Sequence, residues 1–345
     1  MPSVLQDAQG RTISYLRLSL TDRCNFRCSY CSPLAMESHE DPLSRPEVQR
    51  LTGIFARLGI RRVRLTGGEP TLRRDLVEIV GDVAGCAGIE EVALTTNGQA
   101  LGELARPLRA AGLTRLNISL DTLQPARLRD LSGRAASLER ITAGIAAAQA
   151  AGFEGLKLNV VVMRGVNDGE LAALARFGWR YGATVRFIEL MPFGQGVPVP
   201  LGEIKSLLQA QGIRLVPDAS RGWGPAHHMR GFAEGGTAKG GAAAGEPAAS
   251  GPAAGRPPES GLLGFIGAMT ENFCEGCNRV RVAADGTLRA CLGGREQVSL
   301  KALLRDGTPD EAIGEEIRAA LMLKREKHEM GVPGNKLLPM VGTGG

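Results

Sequence analysis

The sequence predicts an α/β fold, an incomplete (β/α)6 TIM-like barrel followed by a small C-terminal module. Three observations carry this expectation. Short apolar runs alternate with amphipathic helical stretches from residue 15 to 190, several of those runs have one polar face, and a Gly/Ala/Pro-rich stretch at 231–260 sets the remainder apart.

The strand-length runs are 15–20, 62–66, 91–95, 115–120, 156–162 and 185–190, and helical patterns lie between them near 46–58, 74–84, 101–111, 136–151 and 168–181. Strand–helix repeats in unbroken order imply a parallel sheet with helical crossovers. A strand buried between two helical layers reads as nearly all apolar. Here Asn117, Ser119 and Asp121 alternate with Leu116, Ile118 and Leu120, as do Arg17 and Ser19 with Leu16, Leu18 and Leu20, and Arg64 and Thr66 with Val63 and Leu65. The polar face therefore lines a ligand cavity. Unusual residues follow the strands (a cysteine loop, Gly67-Gly68-Glu69, Thr96-Asn97-Gly98, Asp121, Met191-Pro192), and strand C-terminal ends are where β/α barrels place their chemistry.

In 231–260, Gly, Ala and Pro fill 21 of 30 positions. Such a segment buries too little apolar surface to offset its ordering entropy, so it reads as disordered. The expected domains are residues 1–230 as the partial barrel, 231–260 as an insertion, and 261–345 as a C-terminal module with a helix around 309–328 and a Gly344-Gly345 tail.

With 345 residues the chain has room for one large domain and an appendage. Its net charge of +5 is too small to argue for nucleic acid but suits anionic small molecules. No run reaches the ~18 apolar residues of a membrane span, and Met1–Gly10 lacks the features of an export signal. A cytoplasmic location is expected, where thiols stay reduced. Six of the seven cysteines nevertheless fall into two tight groups, Cys24/Cys28/Cys31 and Cys274/Cys277/Cys291.

Cys24-Asn-Phe-Arg-Cys28-Ser-Tyr-Cys31 is C-x3-C-x2-C in a loop after a strand. Three thiolates at this spacing can hold a [4Fe–4S] cube and leave one iron open to a small molecule. Structural zinc wants a fourth protein ligand, and none stands convincingly nearby. With Tyr30 before the third cysteine and Gly67-Gly68-Glu69-Pro70 after the second strand, the chain resembles the radical S-adenosylmethionine superfamily. In that family the open iron binds S-adenosylmethionine, which is cleaved to a 5′-deoxyadenosyl radical.

Cys274-Glu-Gly-Cys277-Asn-Arg-Val-Arg, with Cys291 beyond, is C-x2-C-x13-C. On spacing alone it is either a zinc knuckle completed by a residue such as His328 or a second open-iron cluster. The string Cys-Asn-Arg-x-Arg followed by Ala-Asp-Gly-x-Leu-x-x-Cys-Leu, together with the first group, resembles the GTP 3′,8-cyclase family of molybdenum-cofactor biosynthesis over nearly the whole chain outside 231–260. That resemblance implies two [4Fe–4S] clusters, on Cys24, Cys28 and Cys31 and on Cys274, Cys277 and Cys291. It implies that Tyr30, Gly68, Ser119 and Met191 contact S-adenosylmethionine. It further implies that Arg17, Arg64, Thr95, Lys157, Arg279 and Arg281 contact GTP, with Arg17, Arg279 and Arg281 catalytic. The implied reaction removes hydrogen from C3′ of GTP and joins C3′ to C8, giving 3′,8-cyclo-7,8-dihydro-GTP. The implied partners are GTP, a reductant such as flavodoxin or ferredoxin, the downstream cyclic pyranopterin monophosphate synthase and a second copy in a homodimer, with no membrane and no nucleic acid. The Gly-Gly tail is implied to reach the active site.

The physics of these residue types agrees. A triphosphate needs fixed cations, and arginine offers a rigid, always-charged fork. Arg279 and Arg281 share a face of an extended chain, and inward-facing Arg17 and Arg64 are costly unless a counter-charge arrives. Two rivals are a radical peptide-modifying enzyme with an auxiliary cluster and a zinc-containing nucleic-acid-binding protein. The first normally carries more C-terminal cysteines, and the second leaves Gly67-Gly68-Glu69 unexplained and wants a concentrated basic stripe.

Overall fold

The computed structural model describes residues 4–31, 41–133, 135–219, 224–233, 259–294, 297–332 and 340. The strand–helix repeats come in the expected order. They are β1 (Tyr15–Ser19), α1 (Arg45–Arg57), β2 (Arg62–Thr66), α2 (Leu76–Ala84), β3 (Glu91–Thr96), α3 (Leu101–Ala110), β4 (Arg115–Ser119), α4 (Pro125–Ser132), α5 (Leu138–Ala150), β5 (Lys157–Val162), α6 (Leu171–Arg180) and β6 (Thr184–Glu189). Strands β1 to β6 pair parallel in sequence order. Their apolar parity (Leu16, Leu18, Val63, Leu65, Ile118, Val160, Phe187) is wholly buried in the main hydrophobic core. The opposite parity turns inward. Local signals set the helix ends: Ser44 opens α1 through a capping box with Glu47, and Ser137 accepts from the Arg140 amide to open α5.

The second half departs from the simplest expectation of a separate module. After α7 (Leu201–Ala210) come β7 (Ile213–Pro217), β8 (His227–Ala233), β9 (Ser260–Ile266), β10 (Arg279–Val282), β11 (Thr287–Arg289), β12 (Val298–Ser299), α8 (Leu300–Arg305) and α9 (Asp310–Met322). Strand β9 lies parallel to β6 and β10 lies parallel to β1, so eight contiguous strands run one way. The full order is a linear series from β12 to β7.

The ends of the 231–260 stretch belong to this sheet. Gly231–Ala233 finish β8 and Ser260 opens β9, paired antiparallel with Phe232 opposite Ser260. Residues 234–258, for which disorder is expected, lie outside the described residues, as does the Gly344-Gly345 tail. Gly261 is required where it stands, because a Cβ there would come within 2.2 Å of the Trp179 ring. Helix α9 is held to the barrel by Arg50 and Arg57 of α1, which both pair with Asp310 at 2.8 and 2.6 Å. Among the described residues no helix is long and apolar enough to cross a membrane.

Candidate functional site

One cavity of about 360 Å3 runs along the inward strand face. Its wall includes the first three cysteines, Tyr30, Gly68, Ser119 and Met191. It also includes Arg17, Arg64, Thr95, Lys157, Arg279 and Arg281. The second cysteine group flanks the same space rather than walling it: Phe273, Asn278 and Leu292 line the cavity, each next in sequence to Cys274, Cys277 or Cys291.

Topology sets these groups at opposite ends. The Cys24–Cys31 loop follows the C-terminal end of β1, whereas Cys277 precedes β10, which is parallel to β1 with Tyr15 opposite Arg279. Strand β11 runs antiparallel to β10 with Arg289 opposite Arg281, so Cys291 returns to the end where Cys277 lies. A five-residue strand separates the two ends by roughly 15 Å.

At the first end the Gly67-Gly68-Glu69 turn packs backbone to backbone on the cysteine loop. The Gly68 amide donates to Thr21 O at 2.6 Å and the Glu69 amide to Arg23 O at 2.8 Å. A Cβ on Gly68 would sit 2.4 Å from Arg23 O, so only glycine allows this approach. The Glu69 carboxylate is buried and accepts from Thr71, from the Thr96 hydroxyl (2.7 Å) and from the Asn97 amide (2.7 Å). The Tyr30 hydroxyl donates to Asp121 at 2.6 Å, and the Val161 amide donates to the other Asp121 oxygen. Burial raises the Asp121 carboxyl to about 6, against the pull of those hydrogen bonds. Burial also drives the Cys24 thiol up to about 11 and Cys28 to about 12, with Glu69 and Asp121 respectively pushing the same way. Thiols held as Cys24 and Cys28 are fit a group that brings positive charge of its own, as an iron–sulfur cluster does.

At the second end Cys277 has the reverse electrostatics. Burial acts to raise the Cys277 thiol, but Arg279, Lys324 and the hydrogen bonds from both outweigh it and bring it down to about 7. The His328 backbone amide hydrogen-bonds Cys274. Its ring faces away from the cysteines, with Nε2 2.8 Å from Ala268 O and Nδ1 accepting from the Met330 amide. His328 therefore does not complete a zinc knuckle here, and no three His, Cys, Asp or Glu side chains among the described residues gather about a single-ion position. A cysteine drawn towards thiolate by local cations, beside two more, suits a cluster with an open iron.

Between the ends lies a band of cations. Across three adjacent strands Arg64, Arg17 and Arg281 stand in one register row. Burial, then Arg281, Arg64 and Arg279, hold the Arg17 guanidinium well below its ordinary range. Burial and Arg279 lower Arg281 to about 10. Burial, followed by Arg186, Arg64 and Arg115, lowers Lys157 to about 8. Arg64 donates to the Tyr15 hydroxyl and to Thr95 (3.3 Å). Among the described residues only two carboxylates line the cavity. Glu91 is paired with Arg115 at 2.8 Å and Glu69 is saturated by its donors.

Sequence reasoning missed Arg186. It is buried, lowered to about 9 by burial and by Arg64, and fixed by Asn159 at 2.6 and 2.9 Å. Asn117, with its amide oxygen turned to them, accepts from Arg64 and Arg186 at 3.2 Å. The signal was present, since Arg186 and Ile188 have the inward parity that singled out Arg17 and Arg64.

A three-cysteine loop at the C-terminal end of β1, beside a Gly-Gly-Glu turn in a parallel barrel, defines a radical S-adenosylmethionine enzyme. The "Radical SAM superfamily" model matches residues 18–178 and "Molybdenum Cofactor Synthesis C" matches 249–330. Relatives named GTP 3′,8-cyclase include those of Heliobacterium modesticaldum, 43% identical over 94% of each chain, and Moorella thermoacetica, 40% identical over 94% of this chain and 95% of the other. That of Pseudomonas aeruginosa, GTP 3′,8-cyclase 1, is 41% identical over 95% and 94%. A solved structure, Streptococcus suis SuiB bound to precursor peptide SuiA, shares the fold alone, with a TM-score of 0.57 at 14% identity over 93% of this chain and 73% of that one. The chain belongs to the GTP 3′,8-cyclase family, and its cofactors are S-adenosylmethionine and [4Fe–4S] clusters.

Proposed function

We propose that the cavity holds S-adenosylmethionine at the Cys24–Cys31 end and GTP along the arginine band, so that C3′ of the ribose faces the radical source. The observation that supports this most is the polarity of one continuous space. Glu69 and Asp121 mark one end, where a cofactor with a cationic sulfonium belongs. Arg17, Arg64, Lys157, Arg186, Arg279 and Arg281 crowd the rest. Packing buried cations together is unfavourable, and a triphosphate reverses that sign.

When bound, S-adenosylmethionine and the first cluster supply a 5′-deoxyadenosyl radical. The chain's own work is positioning. A primary carbon radical takes the nearest C–H hydrogen, so the fixed phosphates and excluded water decide that H3′ is taken and that C3′ then meets C8. Tyr30, Gly68, Ser119 and Met191 orient the cofactor, and Asp121 holds Tyr30 against the strand ends. Cys274, Cys277 and Cys291 hold the second cluster beside the guanine edge. Met340 also lines the cavity, four residues before Gly344, which supports a Gly-Gly tail that enters it. Deleting Gly344-Gly345 is expected to lower turnover with iron content unchanged.

A flavodoxin or ferredoxin as reductant, cyclic pyranopterin monophosphate synthase as the consumer of the product, and a homodimer complete the reading.

The test is mass spectrometry of deoxyadenosine and cyclised nucleotide after anaerobic reduction with dithionite. Losing one charge-assisted phosphate contact costs ~1.5–3 kcal/mol, a ten- to hundredfold loss in kcat/KM. Arg279→Ala and Arg281→Ala should still cleave S-adenosylmethionine slowly while yielding little cyclised GTP. Variants that cyclise GTP as well as the parent would show the band has another ligand.

A further inference from the structure

We propose that Lys324 is a positioning residue of the second cysteine site: its buried ammonium clamps the two segments that carry Cys277 and Cys291 and sets positive charge against their sulfurs. This rests on the reading of that site as an iron–sulfur centre.

Lys324 follows α9 and is only 3% exposed. Its Nζ donates to Arg279 O at 2.5 Å and to Ala290 O at 2.7 Å, and its third acceptor is the Cys277 sulfur. Arg279 lies two residues beyond Cys277, and Ala290 precedes Cys291. One ammonium with three donors thus spans β10 and β11 just where both chains reach their cysteines. Removing it would free the spacing between the ligands as well as the charge.

Among the described residues no carboxylate pairs with Lys324. The charged groups that act on it are Cys277 and Cys291, favourably, and Arg11, unfavourably. Arg11 is itself paired with Asp7 at 2.7 Å and donates to Cys274 O at 2.8 Å, bracing the same loop from the other side. Burying an unpaired ammonium is costly, and carbonyl dipoles offset only part of that cost. Lys324 therefore fits its site best when the sulfurs beside it carry negative charge. Net charge and hydrogen bonds to sulfur set the potential of such centres, so Lys324 should make the second one easier to reduce. Nothing equivalent stands at the first site, where Glu69 and Asp121 are the charged neighbours of Cys24 and Cys28.

The experiment is a potentiometric titration followed by electron paramagnetic resonance on anaerobically reconstituted parent, Lys324→Met and Lys324→Gln. Both variants should lower the second centre's midpoint by at least a tenfold change in its reduction equilibrium, about 59 mV for one electron. The first centre should not move. Lys324→Gln keeps donors for the carbonyls without the charge, so it should retain parental iron and carries the test if Lys324→Met loses the second centre. Thermal unfolding adds a second measurement: the gain in Tm on reconstitution should be smaller in both variants than in the parent. Unchanged midpoints, or equal shifts in both centres, would overturn the role of Lys324. A parent that binds only roughly four irons per chain would instead overturn the two-cluster reading, and the proposal with it.

Discussion

Cys24 and Cys28 sit among groups that push their thiols up, burial first and then Glu69 and Asp121, whereas Cys277 is drawn down to about 7 by Arg279 and Lys324. Two three-cysteine sites at opposite ends of one barrel thus have different charged surroundings. The site at Cys24–Cys31 has the carboxylates Glu69 and Asp121 fixed around it, as the proposed cationic cofactor requires. The site at Cys274–Cys291 has the cations Arg279 and Lys324 fixed around Cys277, as the proposed polyanion requires. One cavity with a charge gradient can hold two substrates end to end without confusing them, because each end repels the other's ligand.

The sharpest way to break this comparison is to disable one site at a time. Cys28→Ala should abolish deoxyadenosine formation altogether while the second site keeps its iron. Replacing Cys274, Cys277 and Cys291 together by Ala should remove about half of roughly eight irons per chain, leave slow deoxyadenosine formation, and eliminate cyclised GTP. Iron analysis and mass spectrometry read both, and a triple variant that still cyclises GTP would remove the second site from the account.

Lys157 sharpens the cationic half. Its folded-state pKa of about 8 lies below the ordinary value of 10.5 because burial, Arg186, Arg64 and Arg115 oppose its charge. A bound triphosphate favours the ammonium and raises that pKa, so GTP binding should take up a proton near pH 8. Affinity is then full below pH 8 and falls as pH rises through it. Folding carries the opposite sign. The free protein is disfavoured at low pH by this charge, and that penalty is relieved as pH rises from about 8 towards the unfolded value. Calorimetry in buffers of different ionisation enthalpy measures the proton uptake, and Lys157→Met should remove it.

The smallest effect is expected far from either site. Residues 234–258 connect β8 to β9, and replacing them with a Gly/Ser linker of similar reach should leave turnover nearly unchanged. A large loss of activity with iron intact would give that segment a part in the site.

How much of this was legible in the sequence follows from the range of the interactions. Strands β1 to β6 emerged within a residue or two because inward polar and outward apolar residues alternate along each. Their polar parity gave the cavity wall as well, Arg17, Arg64 and Ser119 among them. Strands β9 and β10 were hidden. Each earns its place only by pairing with β6 or β1, far away in sequence. The charge difference between the cysteine sites was hidden for the same reason, since Lys324 lies 47 residues beyond Cys277 in the chain and reaches it through the fold. His328, a reasonable zinc ligand by spacing, turns its ring to Ala268, which only three-dimensional packing could decide.

The central claim is that GTP lies with C3′ against the radical source inside this one cavity. Incubating reconstituted enzyme with S-adenosylmethionine, dithionite and GTP deuterated at C3′ tests it directly by mass spectrometry. The account expects deuterium in the 5′-deoxyadenosine and its loss from the cyclised nucleotide; unlabelled 5′-deoxyadenosine alongside unreacted GTP would contradict it.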